Sequence, residues 1–167
     1  MSATVVLFVI AKAASLIAML VAAWVDVLRR IIPNETVVVI AVSGLLTRLL
    51  IPQEASVWFS IGVALAALVF LGQLSRLGLM GGGDAKLIAA ATLTVPLDGV
   101  LPMLLYVAIA GGAVALFYLA RDLMLGRQPA LQAGKTVALA WLRRPSVPYA
   151  VSVLLGVLSL HVGQVLR

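Results

Sequence analysis

Apolar residues along this chain fall into six runs, broken by short polar stretches and, before the last run, by a longer polar connection. Residues 4–25 are nearly all apolar, about the length of one membrane crossing. Further runs occupy residues 36–51, 57–74, 87–95, 103–119 and 147–165. Each break has helix-ending chemistry. Ile32-Pro33-Asn34 forces the chain out of the α region before the proline and then offers an asparagine to cap the next helix. Pro52, Gln53 and Glu54 form a second break, and Pro96, Asp98, Gly99 and Pro102 form a cluster expected as a turn between helices. The fourth run is short before Pro96. A cleaved signal peptide would show a basic leading region and a shorter apolar stretch, so residues 4–25 read as the first span.

Composition fixes the solvent. Hydrophobic residues make up 63% of the 167 positions and charged residues 11%, with a mean hydropathy of +1.19, where soluble domains carry about 25% charged residues. The expectation is an all-α, polytopic membrane protein, a single domain over residues 1–167 built as a bundle of about six transmembrane helices. The absence of cysteine excludes a disulfide framework, thiolate catalysis and cysteine-ligated zinc. A net charge of +6 would suit nucleic acid, but the basic residues cap the ends of apolar runs and form no stripe, so no nucleic-acid partner is expected and the lipid bilayer is.

Six crossings sort the charges. Arg29, Arg30, Arg76, Lys86, Arg121, Arg127, Lys135, Arg143 and Arg144 fall on one side, while Arg48 and Arg167 fall on the other. The positive-inside rule makes the first side cytoplasmic and puts both termini on the non-cytoplasmic side. A re-entrant fourth segment would send the Arg121–Arg144 cluster outward, against that rule. Lys12, inside the first span, is expected to snorkel to the nearer surface. Residues 130–142 place Leu131, Ala138, Trp141 and Leu142 so that an interfacial helix or a loop fits equally well. His161 reads as an interface or packing residue.

Polar chemistry concentrates at Gly81-Gly82-Gly83-Asp84-Ala85-Lys86. The glycine run is expected to be free for positive φ and for close approach of another chain, and it ends on a carboxylate where a helix would start. Asp26 stands at the end of the first span, and two crossings bring the chain back to the Asp84 level, so the two carboxylates can meet. Singly, each has an ordinary use. Asp84 suits a helix N-terminus, and Asp26 suits pairing with Arg29 or Arg30 one turn on. Jointly they make an aspartyl-protease dyad: neighbouring carboxylates share a proton, the ionised member activates water and the protonated member donates to the scissile carbonyl. The glycines would let an extended substrate backbone lie beside the carboxylate. Partial burial at the membrane edge would raise both pKa values, and Lys86 either opposes that rise or reaches the lipid headgroups.

These residues resemble the type IV prepilin peptidases, grouped with preflagellin peptidases and presenilins among the GxGD aspartyl proteases. Residues Gly81 to Lys86 match the family's Gly-x-Gly-Asp-x-Lys, and Asp26 with Arg29, Arg30 and Ile32-Pro33-Asn34 matches its first-aspartate region. Pro148-Tyr149-Ala150 is similar to its Pro-Tyr-Gly, with alanine for glycine, and Leu28 stands where many members have a basic residue. The resemblance implies that Asp26 and Asp84 are catalytic, that Gly81 and Gly83 face substrate and that Lys86 assists, with no metal and no cofactor. It implies a pilin or pilin-like precursor as partner, cut between its short basic leader and its hydrophobic helix at the cytoplasmic face of a bacterial inner membrane. The chain looks like the short form found with tight-adherence (Flp) pili, without the paired Cys-x-x-Cys region of the bifunctional members that also methylate. Two rival readings are a non-catalytic membrane subunit of a pilus or secretion assembly, and a presenilin-like or signal-peptide-peptidase-like enzyme that cuts within a span. The latter would want the aspartates near mid-membrane.

Overall fold

The computed structural model describes residues 2–50, 57–124 and 149–165 of the chain, and these contain six helices. They are α1 (Ala3–Arg29), α2 (Asn34–Leu50), α3 (Val57–Arg76), α4 (Gly82–Thr92), α5 (Leu97–Met124) and α6 (Tyr149–Val165). No strand occurs among the described residues. Three helical stretches, Ala3–Arg29, Val57–Arg76 and Leu97–Phe117, are long and apolar enough to cross a membrane, and Tyr149–Leu160 is a shorter apolar helix. The protein is thus an all-helical membrane protein. The expected interfacial segment 130–142 lies outside the described residues, as does the His161 side chain.

The helix α1 continues through Asp26 instead of stopping before it. It ends at Arg30, which takes a left-handed φ of 56° and whose N–H donates to the Asp26 carbonyl at 2.9 Å. Its buried stripe is Ala11, Ser15, Ala18, Met19, Ala22, Ala23 and Asp26, spaced three or four residues apart apart from neighbouring pairs. That spacing lays one face toward the bundle. Asp26 is the last member of the stripe, so it points inward. Small residues on this face let α2 come close, and buried Ser43 of α2 donates to Ser15 Oγ at 3.0 Å.

At the centre lies α4, with Asp84, Ala85 and Leu87 through Thr92 buried and Lys86 exposed. Its alanines allow α2, α3 and α6 to surround it. By contrast, Ser60 is the fully buried residue of α3; Val63 and Leu71 pack partly on the core, and much of the rest faces outward. The helices α1 and α4 make no extended contact; α2 and α6 each touch both.

Contacts at glycines fix the direction of α5 against α6. Gly99 lies near Leu160, Gly156 against Met103 and Val107, and Gly111 against Tyr149, so the two run antiparallel. Ala150, at the start of α6, contacts Asp26. Thus α5 starts at the end of the bundle away from Asp26 and returns toward it, which disagrees with a re-entrant fourth segment. The dyad end also gathers Arg29, Arg76 and Arg121, each in the last turn of its helix.

Three expectations need correction. Lys12 does not snorkel: its Nζ donates to the Thr94 carbonyl at 2.7 Å, just past the end of α4, and sits 5.9 Å from the Phe8 ring centre. A carbonyl beyond a helix end has no intrahelical partner, and in an apolar bundle a turned-in ammonium supplies one. The cluster at 96–102 is not wholly a turn, because α5 begins at Leu97 and contains Pro102. Near a helix start a proline forfeits a single backbone bond, here to the carbonyl of exposed Asp98. Last, the glycine run is not a left-handed loop. Gly81 is extended (φ −70°, ψ 142°), Gly82 and Gly83 open α4, and the positive-φ glycine is Gly78 (φ 76°).

Candidate active site

Asp26 and Asp84 reach the same end of the bundle from opposite directions. Asp26 closes the inward stripe of α1, and Asp84 sits in the first turn of α4, ahead of the apolar segment and outside the three long spans. Both are buried, 3% and 5% exposed, so neither carboxylate is solvated as a surface acid would be. Asp26 Oδ2 accepts the backbone N–H of Ala150 at 3.1 Å. This donor belongs to the first turn of α6, where N–H groups lack helical partners and favour an anion. The charge of Arg30, four residues on, also reaches Asp26.

Asp84 is pushed up to about 7, first by burial and then by the negative charge of Asp26, against a backbone N–H from Gly81 that favours its ionised form. With Gly81 as the N-cap residue, Asp84 occupies the third helical position and reaches back to the N-cap N–H, one half of a capping box. The cap expected of Asp84 is therefore present, and the coupling to Asp26 is present with it.

The other residues singled out in the sequence are placed as follows. A Cβ on Gly81 would fall 2.6 Å from Asp84 Oδ2, and one on Gly83 would fall 3.3 Å from the Cβ of Ile32. The protein's own atoms use the room that both glycines provide, one for the folded-back carboxylate and one for the Ile-Pro-Asn segment. Lys86 Nζ donates to Asn34 Oδ1 at 3.3 Å, tying α4 to the start of α2 on the exposed side. Among the described residues no three His, Asp or Glu side chains gather as metal ligands.

A family profile described as the type IV leader peptidase family matches residues 13–116, a stretch that contains both aspartates. The chain belongs to the type IV leader peptidase family. Neither a curated protein nor a solved structure matches it significantly. Membership makes the chain a membrane-embedded peptidase of the leader-peptidase type. The matched stretch ends before α6, so the Ala150 donor lies outside it.

The Ala150 N–H is the contact to Asp26 that sequence reading of this leader peptidase missed. Pro148-Tyr149-Ala150 stood out only by resemblance, and a backbone donor leaves no mark in side-chain chemistry. The available signal was positional: a residue in the first turn of a helix, here two after Pro148, has an N–H in search of an acceptor.

Proposed function

We propose that this leader peptidase is an aspartyl endopeptidase in which Asp26 and Asp84 activate water to remove the short basic leader from a pilin or pilin-like precursor. The observation that carries the reading is the electrostatic coupling of two buried carboxylates, brought by separate helices to one end of the bundle. Near neutral pH such a pair holds one proton between its members, and Asp84 carries it. Ionised Asp26 takes a proton from water while the water oxygen bonds to the scissile carbonyl carbon and Asp84 gives its proton to the carbonyl oxygen. In the collapse, Asp84 recovers a proton from the resulting gem-diol, Asp26 passes its proton to the departing amine, and the C–N bond breaks. One water is consumed and the dyad returns to its starting state.

The site of action proposed is the cytoplasmic face of a bacterial inner membrane. Arg29, Arg76 and Arg121 end their helices at the dyad end of the bundle, and the positive-inside rule assigns that end to the cytoplasm. A basic leader ahead of a hydrophobic helix would lie there. Placement at a bundle end also favours leader removal over cleavage within a span.

Co-expression with a pilin precursor from the same genome tests the reading. Wild type is expected to shorten the precursor, with Asp26→Asn and Asp84→Asn inserted at normal levels and inactive. Asparagine caps helices about as well as aspartate, so processing by both variants would leave the carboxylates as structural groups and favour a non-catalytic subunit. Sequencing the product's new N-terminus separates a cut before the hydrophobic helix from one inside it.

A further inference from the structure

The chemistry at the dyad end leaves the opposite end of α4 unexplained, where a cationic side chain of α1 is turned into the bundle. Lys12 Nζ lies 2.7 Å from the Thr94 carbonyl oxygen. Thr94 itself is buried, and the turn it belongs to is tied down locally: its N–H and hydroxyl both reach the Ala91 carbonyl, at 3.0 and 2.8 Å, and the Leu93 N–H reaches that of Ala90 at 3.1 Å. Gly44 of α2 packs so closely on this turn that a Cβ there would sit 2.9 Å from the Leu93 carbonyl carbon. The turn is packed from the α2 side by Gly44, and Lys12 reaches it from the α1 side.

Geometry gives this bond leverage on the carboxylates. From Lys12 to Asp26 is about 21 Å along α1, and from Asp84 to Thr94 about 15 Å along α4, at 1.5 Å per residue; the lysine side chain spans most of the difference. The two helices run antiparallel without extended contact. They are joined at one end by the coupled carboxylates and at the other by the lysine. A slide of α4 along its axis would therefore move Asp84 past Asp26, and the Lys12–Thr94 bond opposes it.

We infer that Lys12 is a positioning residue, an ammonium tether from α1 to the end of α4 that sets the axial register of α4 and so holds Asp84 opposite Asp26. The inference rests on the dyad reading for its effect on catalysis, but the register itself is measurable without activity. The chain has no cysteine, and a Cβ at Gly83 falls 3.3 Å from that of Ile32, a few tenths of an ångström short of the usual disulfide separation of about 3.5–4.5 Å, so a small shift lets a cysteine pair form. An Ile32→Cys/Gly83→Cys pair thus reports where the dyad end of α4 stands.

The test compares wild type, Lys12→Met, Lys12→Gln and Lys12→Arg, each purified in nanodiscs, by precursor cleavage and by oxidation rate of the cysteine pair in the same backgrounds. Misplacement of a reacting group by about 1 Å costs about 100-fold. Expected for Lys12→Met are a kcat lower by about tenfold or more, a KM within about twofold, and slower crosslinking; Lys12→Arg, which keeps a donor, restores both. Should Lys12→Met fail to accumulate, Lys12→Gln with its shorter amide takes its place in the comparison. Unchanged crosslinking in Lys12→Met, or in the shorter Lys12→Gln where that stands in for it, overturns the inference, and so does equal loss of kcat in that variant and in Lys12→Arg. Failure of the dyad reading is separate: Asp26→Asn and Asp84→Asn would then cleave normally, while the crosslinking comparison still decides whether Lys12 sets the register.

Discussion

Ala150 donates its backbone N–H to Asp26 Oδ2 across 124 residues of chain, at 3.1 Å, which ties the last helix to the first at the candidate dyad. The Ala150 side chain is 1% exposed, so a larger one must push α6 outward and lengthen this bond. On the proposed mechanism Ala150→Leu is expected to lower kcat by about tenfold or more, because Asp26 shifts from its place, with the protein still inserted. Ala150→Gly keeps the donor and should stay within about twofold of wild type in kcat, at a stability cost of about 1 kcal/mol for glycine in a helix. Steady-state cleavage beside thermal unfolding in detergent separates the two substitutions.

Gly81→Ala puts a methyl group where the Asp84 carboxylate now folds back, 2.6 Å from Oδ2. The backbone at Gly81 suits alanine (φ −70°, ψ 142°), so folding is expected to survive and the carboxylate to be displaced. We expect processing to fall by about 100-fold, with normal membrane levels. A variant that cleaves at the wild-type rate would mean that the carboxylate leaves the Gly81 N–H before reaction anyway.

The sequence disclosed the helices and the carboxylates better than what binds them. Continuous apolar runs ended by Pro33 and Pro96 mark helices because those breaks act through local sterics, and the match of both aspartates to one end follows from counting crossings. Three features were not legible, two of them because they depended on tertiary contacts and one because a local cap outweighed the freedom of the glycines. Lys12 turned inward because an orphan carbonyl on α4 outweighed the pull of the surface. Gly82 and Gly83 became helical because Asp84 at the third position completes half a capping box with Gly81. The Ala150 N–H meets Asp26 only once α6 packs on α1.

Gly111 and Gly112 are adjacent in α5 yet should respond oppositely to alanine. A Cβ on Gly111 would come within 2.9 Å of the Tyr149 ring, whereas one on Gly112 meets nothing within 4 Å. Gly111→Ala forces the start of α6 away from α5 and is expected to cost about 1–3 kcal/mol by overpacking. Gly112→Ala should be neutral or slightly stabilising, through a helix propensity better by up to about 1 kcal/mol. Unfolding midpoints in one detergent provide the check. Because Tyr149 precedes Ala150, Gly111→Ala should also lower cleavage, and Gly112→Ala should not.

The pKa of Asp84, raised from 3.8 to about 7, makes activity and stability both fall as pH rises, over different ranges. For activity, the proposed mechanism has Asp84 donate a proton, so kcat/KM should fall as pH rises through about 7. For stability, the folded state holds this proton more tightly than the unfolded chain. Stability is then greatest below the unfolded value near 3.8, declines as pH rises, and levels off above the folded value near 7. A shift from 3.8 to about 7 corresponds to a ceiling of about 4 kcal/mol; water at the bundle end lowers it, and about 2 kcal/mol is expected. Asp84→Asn carries no such proton, so it should match wild type at pH 4 and exceed it at pH 8, while cleaving at neither. Equal unfolding midpoints for the two proteins at pH 8 would place Asp84 in water and remove the basis for a shared proton.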